Sequence, residues 1–222
     1  LWYHCELFKK SNYHYLKLKK CNEKGYRLIT VFHSEWQEKR VKTKLFLKSI
    51  INNDSVIYAR NTKITNDKKK INEFLDKYHL QGKGNSTIQI GLVYKNEIVA
   101  ALTINKHHRN FNKQVINRVC FGEYKVIGGF KKMLHALPSG RYITWSDNRW
   151  SDGTMYQKNG FTLESSLSQD YFYTDGFSLF SKQSCGKRFI NCPSNLTEHQ
   201  YMNSLKFYRV YDCGKKRWSI FL

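Results

Sequence analysis

Three clusters in this chain hold side chains able to do chemistry. The first lies at the start, where Trp2, Tyr3 and His4 are followed by Glu6 and His14. A histidine flanked by aromatic rings can move a proton near a phosphate while the rings wedge between bases or stack on them. Cleaving a phosphodiester in that way also takes a divalent cation held by carboxylates. The second cluster, Lys125-Val126-Ile127-Gly128-Gly129-Phe130, opens a helix after a strand, and backbone N–H groups at such a start bind phosphate. A glycine pair at a helix start also serves close packing alone. The third is Tyr156 in TMYQKNGF, where Tyr156, Gly160 and Phe161 read first as core or turn residues.

Charge points to the kind of partner. The 222 residues carry 38 Lys and Arg against 17 Asp and Glu, a formal net charge of +21. Such a surplus repels itself in the compact state, so a polyanion is the natural partner and a generically basic soluble protein the plainer alternative. No run approaches the ~20 apolar residues of a membrane span. The six cysteines, Cys5, Cys21, Cys120, Cys185, Cys192 and Cys213, form no Cys-x-x-Cys pair, which argues against structural zinc. Cys185, Cys192 and Cys213 with His199 are the remaining candidate metal ligands, and reduced, partly buried thiols in a cytosolic protein are the default. Leu at position 1 is what a fragment or processed product would show.

Periodicity supplies the elements that must position these groups. A helix is expected over 12–24, with Tyr13, Leu16 and Cys21 near one face and Gly25 as its stop. Tyr26 to Phe32 reads as a buried strand. Ser34 with Gln37 fits a capping box, opening a helix with Val41, Leu45 and Ile50 inward and Lys39, Arg40, Lys42, Lys44 and Lys48 outward as phosphate contacts or a solvated face. Asn52-Asn53-Asp54 is a turn and a boundary. Beyond it come a strand at 56–60, a helix capped by Asn66 or Asp67 with Ile71, Phe74, Leu75 and Tyr78 inward, and a hairpin around Lys95-Asn96. A strand at 115–121, a helix from Gly128-Gly129, strands at 141–145 and 171–174 and a short helix at 154–159 complete the pattern. From about 180 the chain reads as irregular.

LWYHCE, then NYH, then GYRLITVFHSEW resemble segments of the phage homing endonucleases related to the very-short-patch-repair nuclease, whose core is the restriction-endonuclease-like α/β fold. By that likeness His4 takes the place of the catalytic histidine, and Glu6, His14 and Glu35-Trp36 fall on other recurrent positions. The family's metal-binding acids lie on strands before this segment, so the ligands of a Mg²⁺ ion are expected upstream of residue 1. Lys10-Ser11 and His33-Ser34 stand where further carboxylates recur.

Residues 56–175 read strand–helix–hairpin–strand–helix–strand–helix–strand, an order that resembles the GNAT acetyltransferases. There a Gln/Arg-x-x-Gly-x-Gly/Ala loop holds the coenzyme A pyrophosphate, and a tyrosine at the place of Tyr156 often serves as general acid. Lys125 and Phe130 depart from that loop pattern. Hef-like phage homing endonucleases join both parts. The matching segments here are His79-Leu80-Gln81-Gly82, Val126 to Lys131, Ser146 to Phe161, Leu196 to Met202 and Phe207 to Gly214.

The resemblance implies α/β and α+β architecture: a partial nuclease core at 1–52, a GNAT-like mixed-sheet domain at 53–178 turned to DNA binding, and a tail at 179–222. It implies a cytoplasmic metal-dependent endonuclease on duplex DNA, associated with a missing N-terminal nuclease segment. His4, Glu6 and His14 would be catalytic. DNA contacts would come from the helix lysines above and from Lys106-His107-His108-Arg109, Lys125, Gly128, Gly129, Arg149-Trp150 and Lys215-Lys216-Arg217 with Trp218. The alternatives are a DNA-binding module without catalysis and a GNAT-type acyltransferase.

Overall fold

In the computed structural model, which describes residues 1–51, 55–107 and 113–222, a 3-10 turn at Trp2–His4 leads into three helices: α1 (Tyr13–Glu23), α2 (His33–Glu38) and α3 (Arg40–Ile51). Next come β1 (Val56–Tyr58), a 3-10 turn at Ala59–Asn61, β2 (Lys63–Thr65), α4 (Lys68–Tyr78), β3 (Ile88–Tyr94), β4 (Glu97–Lys106) and β5 (Gln114–Phe121). After β6 (Lys125–Ile127) the chain runs through α5 (Gly129–His135), β7 (Arg141–Asp147), α6 (Thr154–Lys158), β8 (Thr162–Leu167), β9 (Tyr171–Thr174) and β10 (Leu179–Ser181). It ends in α7 (Glu198–Ser204), β11 (Tyr208–Tyr211) and β12 (Lys215–Phe221). Among the described residues no helix is long and apolar enough to cross a membrane.

Tertiary contacts divide the chain into two compact units. One comprises Leu1–Glu38, Ser146–Gly153 and Ser165–Lys216, the other Lys39–Trp145, Thr154–Glu164 and Arg217–Leu222. The second unit is a mixed α/β fold built on one large mixed sheet. Its sheet runs β2-β3-β4-β5-β7-β12-β8, antiparallel from β2 to β5 and then parallel between β5 and β7. The β3–β4 hairpin turns at Lys95 (φ 47°) and Asn96 (φ 66°), left-handed positions that fit a two-residue loop between twisted strands. Asp67 caps α4 by accepting the Lys70 N–H at 3.1 Å. The apolar stripe of α4, Ile71, Phe74 and Leu75, packs on Ala101 and Cys120.

The first unit holds the antiparallel sheet β10-β9-β11. Cys5, Phe32 and Val210 form one small core, and Tyr173, Cys185 and Met202 another. Thr197 and Gln200 close a full capping box at the start of α7. The stretch after 180, expected to be irregular, thus supplies a helix and three strands, counting β10. The β12 strand, with three basic residues at its head, enters the large sheet between β7 and β8.

The expected nuclease core is not formed. Residues 1–51 contain no strand. Tyr26 to Phe32 carries no regular secondary structure and joins no ladder; Thr30 N–H donates to Arg149 O at 3.1 Å and Phe32 N–H to Glu35 Oε2 at 3.0 Å. A buried strand requires hydrogen-bonding neighbours, and nothing among the described residues supplies them here. Helix faces differ as well. His14 and Leu18, four residues apart, are the buried positions of α1, and Leu16 is exposed. Helix α2 begins at His33, so Ser34 lies inside it and Glu35 does the capping. In α3 the buried residue is Thr43, while Val41 is 71% exposed. The turn expected at Asn52-Asn53-Asp54 lies outside the described residues.

Candidate nucleic-acid interface

The 3-10 turn and the first turn of α1 bring together two histidines ten residues apart. The rings of His4 and His14 stack with centroids 5.1 Å apart at 22°. His14 is buried edge-on against Phe32, 5.6 Å away. Tyr13 lies beside His4, with Lys9 Nζ 4.7 Å over its ring. Tyr3 and Phe8 meet at 5.7 Å and are largely exposed, Tyr3 at 73%. Burial, then the surrounding positive charges, Lys9 and Lys17 among them, pushes His4 below the usual imidazole range. Burial first, then His4 and Lys17, pushes His14 down to about 4. Both rings are therefore neutral at pH 7.

These residues edge a cleft of about 700 Å³ whose walls include Tyr3, His4, Tyr13, Lys17 and Trp36. The run Leu28 to Phe32 lines it as well. No Asp or Glu lines it. The residues the sequence pattern missed as site residues are Tyr13 and Lys17, while Trp36 is singled out there beside Glu35. Tyr13 and Lys17 are four apart on α1, a helical spacing that places them on one face.

Glu6 does not join the histidines. Its Oε1 accepts the Arg209 N–H at 3.0 Å and lies 2.9 Å from His199 Nε2, tying the N-terminal turn to β11 and α7. The proposed trio His4, Glu6 and His14 is thus two histidines and a structural carboxylate. Among the described residues no three His, Cys, Asp or Glu side chains group to hold a metal. That corrects both the expected Mg²⁺ and the Cys185, Cys192, Cys213 and His199 alternative; Cys213 is buried and its thiol pushed up to about 11 by that burial.

The expected DNA contacts fall into two groups. Lys39, Arg40, Lys44, Lys106 and Lys125 are exposed, and Lys42 is half-buried. His107 stacks on Trp145 with centroids 6.5 Å apart. His108 and Arg109 lie outside the described residues. Arg149, in contrast, is only 4% exposed. Its Nη1 donates to both oxygens of Glu35 at 2.9 and 3.0 Å, and its Nη2 is 3.4 Å from Asp147. The guanidinium also lies 4.7 Å over the Phe32 ring and 5.5 Å over those of Trp150 and Phe172. It is a core tie with no face for DNA. Lys216 Nζ donates to Asp152 O at 2.9 Å, Arg217 Nε lies 2.8 Å from Glu164, and Lys215 is half-buried.

The glycine turn before α5 is filled by the chain itself. Gly128 adopts φ 75°, where a side chain is strained, with Ala59 packed across it. A Cβ at Gly129 would come within 2.9 Å of Val126, so glycine is needed there for packing. Phe130 is buried, stacked on Phe161 and edge-on to Tyr156. Lys132 Nζ is taken up by the carbonyls of Ala59 and Thr62. Tyr156 is buried among Phe130, Phe161 and Trp218, its hydroxyl 3.3 Å from Thr144 Oγ1, and burial pushes its pKa up. The β5–β7 ladder ends after Val115–Ile143, and Thr144 Oγ1 bridges the next step by donating to Ile116 O. A coenzyme A pyrophosphate and a transferring phenol do not fit these groups.

No family model and no curated protein matches the chain. Among solved structures it is similar to a GNAT acetyltransferase from Bacillus cereus ATCC 10987 (12% identity, 72% of this chain and 96% of that one, TM-score 0.37). It is also similar to a GNAT acetyltransferase from Elizabethkingia anophelis with acetyl-CoA bound (15%, 73% and 99%, TM-score 0.38). A third is the IAA acetyltransferase of Bacillus cereus ATCC 14579 (16%, 72% and 99%, TM-score 0.38). Residues 1–51 contain no strand, and among the described residues no three His, Cys, Asp or Glu side chains group to hold a metal. The expectation of a metal-dependent homing endonuclease is corrected accordingly, with its Mg²⁺.

Proposed function

We propose that the chain is a nucleic-acid-binding module on a GNAT-like scaffold, docking on duplex DNA without cutting it. One observation carries this reading: in a protein of net charge +21, the cleft beside α1 is walled by tyrosines, a tryptophan, histidines and Lys17, with no acid among them. Rings supply stacking surfaces that tolerate any base, and cations supply phosphate contacts. With both stacked histidines neutral at pH 7, Lys17 supplies positive charge to the wall, and the rings act as flat surfaces.

The test is duplex binding at rising salt. Neutralising several phosphates releases counterions, so log K should fall with log salt at a slope of about −0.9 per contact. A flat response between low and moderate salt sinks the proposal.

A second reading, coenzyme A-type acyl transfer, is favoured by the short β5–β7 ladder, in which these two parallel strands pair with each other at Gln114–Tyr142 and Val115–Ile143 and not beyond among the described residues. Phe130 and Tyr156 weigh against it. Calorimetric titration with acetyl-coenzyme A decides: no heat is expected, and saturable binding would establish the second reading.

A further inference from the structure

Arg118, on β5, is half-buried and carries its charge without a carboxylate partner among the described residues. Its Nε donates to Gly82 O at 3.0 Å and its Nη1 to Asn117 O at 2.7 Å, both neutral acceptors. Its Nη2 has no acceptor among the described residues. Burial alone pushes its pKa down, with no anion pulling it back. A guanidinium in that state costs desolvation energy that neutral carbonyls offset only in part.

The loop facing it is held in place. Asp76 Oδ1 accepts the Lys83 N–H at 3.0 Å, and Asp76 Oδ2 pairs with Lys83 Nζ at 3.2 Å. His79 Nδ1 accepts the Gln81 N–H at 3.1 Å. Asn117 Nδ2 donates to Asn85 O at 2.8 Å, and Gln89 Nε2 to Ser86 Oγ at 2.7 Å. Two glycines leave room for cationic side chains to lie against this loop. A methyl group at Gly84 would sit 3.2 Å from Arg118 Nη2, and one at Gly82 would sit 3.6 Å from Lys42 Nζ and 2.9 Å from Asp76 Oδ1. Burial, then Arg118 and Lys42, drives His79 down to about 4, so the ring adds no charge at neutral pH. Asp76 pairs with Lys83 and is also within electrostatic reach of Lys42, so one carboxylate stands against three cations, Lys42, Lys83 and Arg118, beside a glycine-lined backbone.

We infer that Arg118, Lys42 and the Gly82–Gly84 loop form a binding site for a phosphate-type oxyanion. A guanidinium edge and an ammonium converging on a fixed loop suit a tetrahedral anion with several acceptor oxygens. The anion is either a backbone phosphate of nucleic acid, which rests on the DNA-binding reading, or a free phosphate, which does not.

Two arms separate these sources. In the first, inorganic phosphate is titrated against chloride at matched ionic strength while the melting temperature of the full chain is followed. In the second, the salt slope of duplex binding is measured. Arg118→Gln and Lys42→Gln are compared with the wild type, and Lys63→Gln serves as a surface control. A melting rise with phosphate in the wild type and control, lost in both site variants, assigns a free oxyanion. A salt slope reduced by about 0.9 in each site variant, with no response to inorganic phosphate, assigns a nucleic-acid phosphate. If Arg118→Gln does not fold, Lys42→Gln decides by the same readouts. Site variants matching the wild type in both arms overturn the inference while leaving DNA binding intact. Should the chain bind no DNA at all, the DNA-binding reading fails and the phosphate arm alone decides this site.

Discussion

Arg149 and Arg118 are both withdrawn from water, one in each unit, and are held in opposite ways. Arg149 has two carboxylates and three aromatic rings around it. Arg118 has two backbone carbonyls and an open Nη2. The first arrangement is neutralised: two carboxylates answer the charge, although the buried Nε finds no acceptor among the described residues. The second leaves charge to spare. Burial by itself does not separate a structural cation from a binding one; the company of carboxylates does.

The largest expected effect tests the neutralised arrangement. Arg149→Met leaves Glu35 and Asp147 without their cation and should cost about 3–5 kcal/mol of stability, read from the urea midpoint. Arg118→Gln should cost less than about 1 kcal/mol, since it removes a partly exposed cation bonded to neutral acceptors. Equal losses in the two variants would break the distinction.

Next in size is acid sensitivity, with one histidine in each unit. The ordinary imidazole value is 6.5, and in the folded chain His14 and His79 both sit at about 4. Between those values the unfolded chain binds more protons than the folded one. Stability is therefore complete above about pH 6.5 and falls as pH drops toward 4. After discounting for partial exposure, each histidine should contribute a loss of about 1–2 kcal/mol. Replacing either by Gln should flatten its share of the pH–stability curve; an unchanged curve would refute that residue's part.

A smaller effect probes the cleft. Tyr3→Ala should weaken duplex binding about fivefold, roughly the low end of one stacked base, with the melting temperature unmoved. Smallest is Tyr156→Phe, which removes the contact with Thr144 and should cost about 1 kcal/mol while DNA affinity stays the same. A change in affinity there would give the phenol a role its buried position denies it.

Much of the second unit was legible in the sequence. The α4 stripe, the Asp67 cap and the Lys95-Asn96 turn are local signals, each decided within a few residues. The cleft was legible in part: His4 stood out by its aromatic neighbours, but its stacking on His14 depends on how the N-terminal turn meets α1. Leu28 to Phe32 shows the opposite failure. Its apolar, β-branched run is what a buried strand looks like, yet a strand is defined by its partners, and a run of side chains does not specify them. Arg149-Trp150 read as a DNA contact because a basic–aromatic pair looks alike inside and outside a protein. Its partner Glu35 lies 114 residues away.

The sequence by itself determined the charge and the helix and hairpin signals, because these depend on composition or on residues within one turn or loop. Tertiary structure alone decided which cations are neutralised, which histidines touch, that residues 1–51 form no sheet and that β12 enters the large one. Those outcomes turn on pairings between distant segments, and the free energy of an ion pair or a ladder belongs to both partners at once.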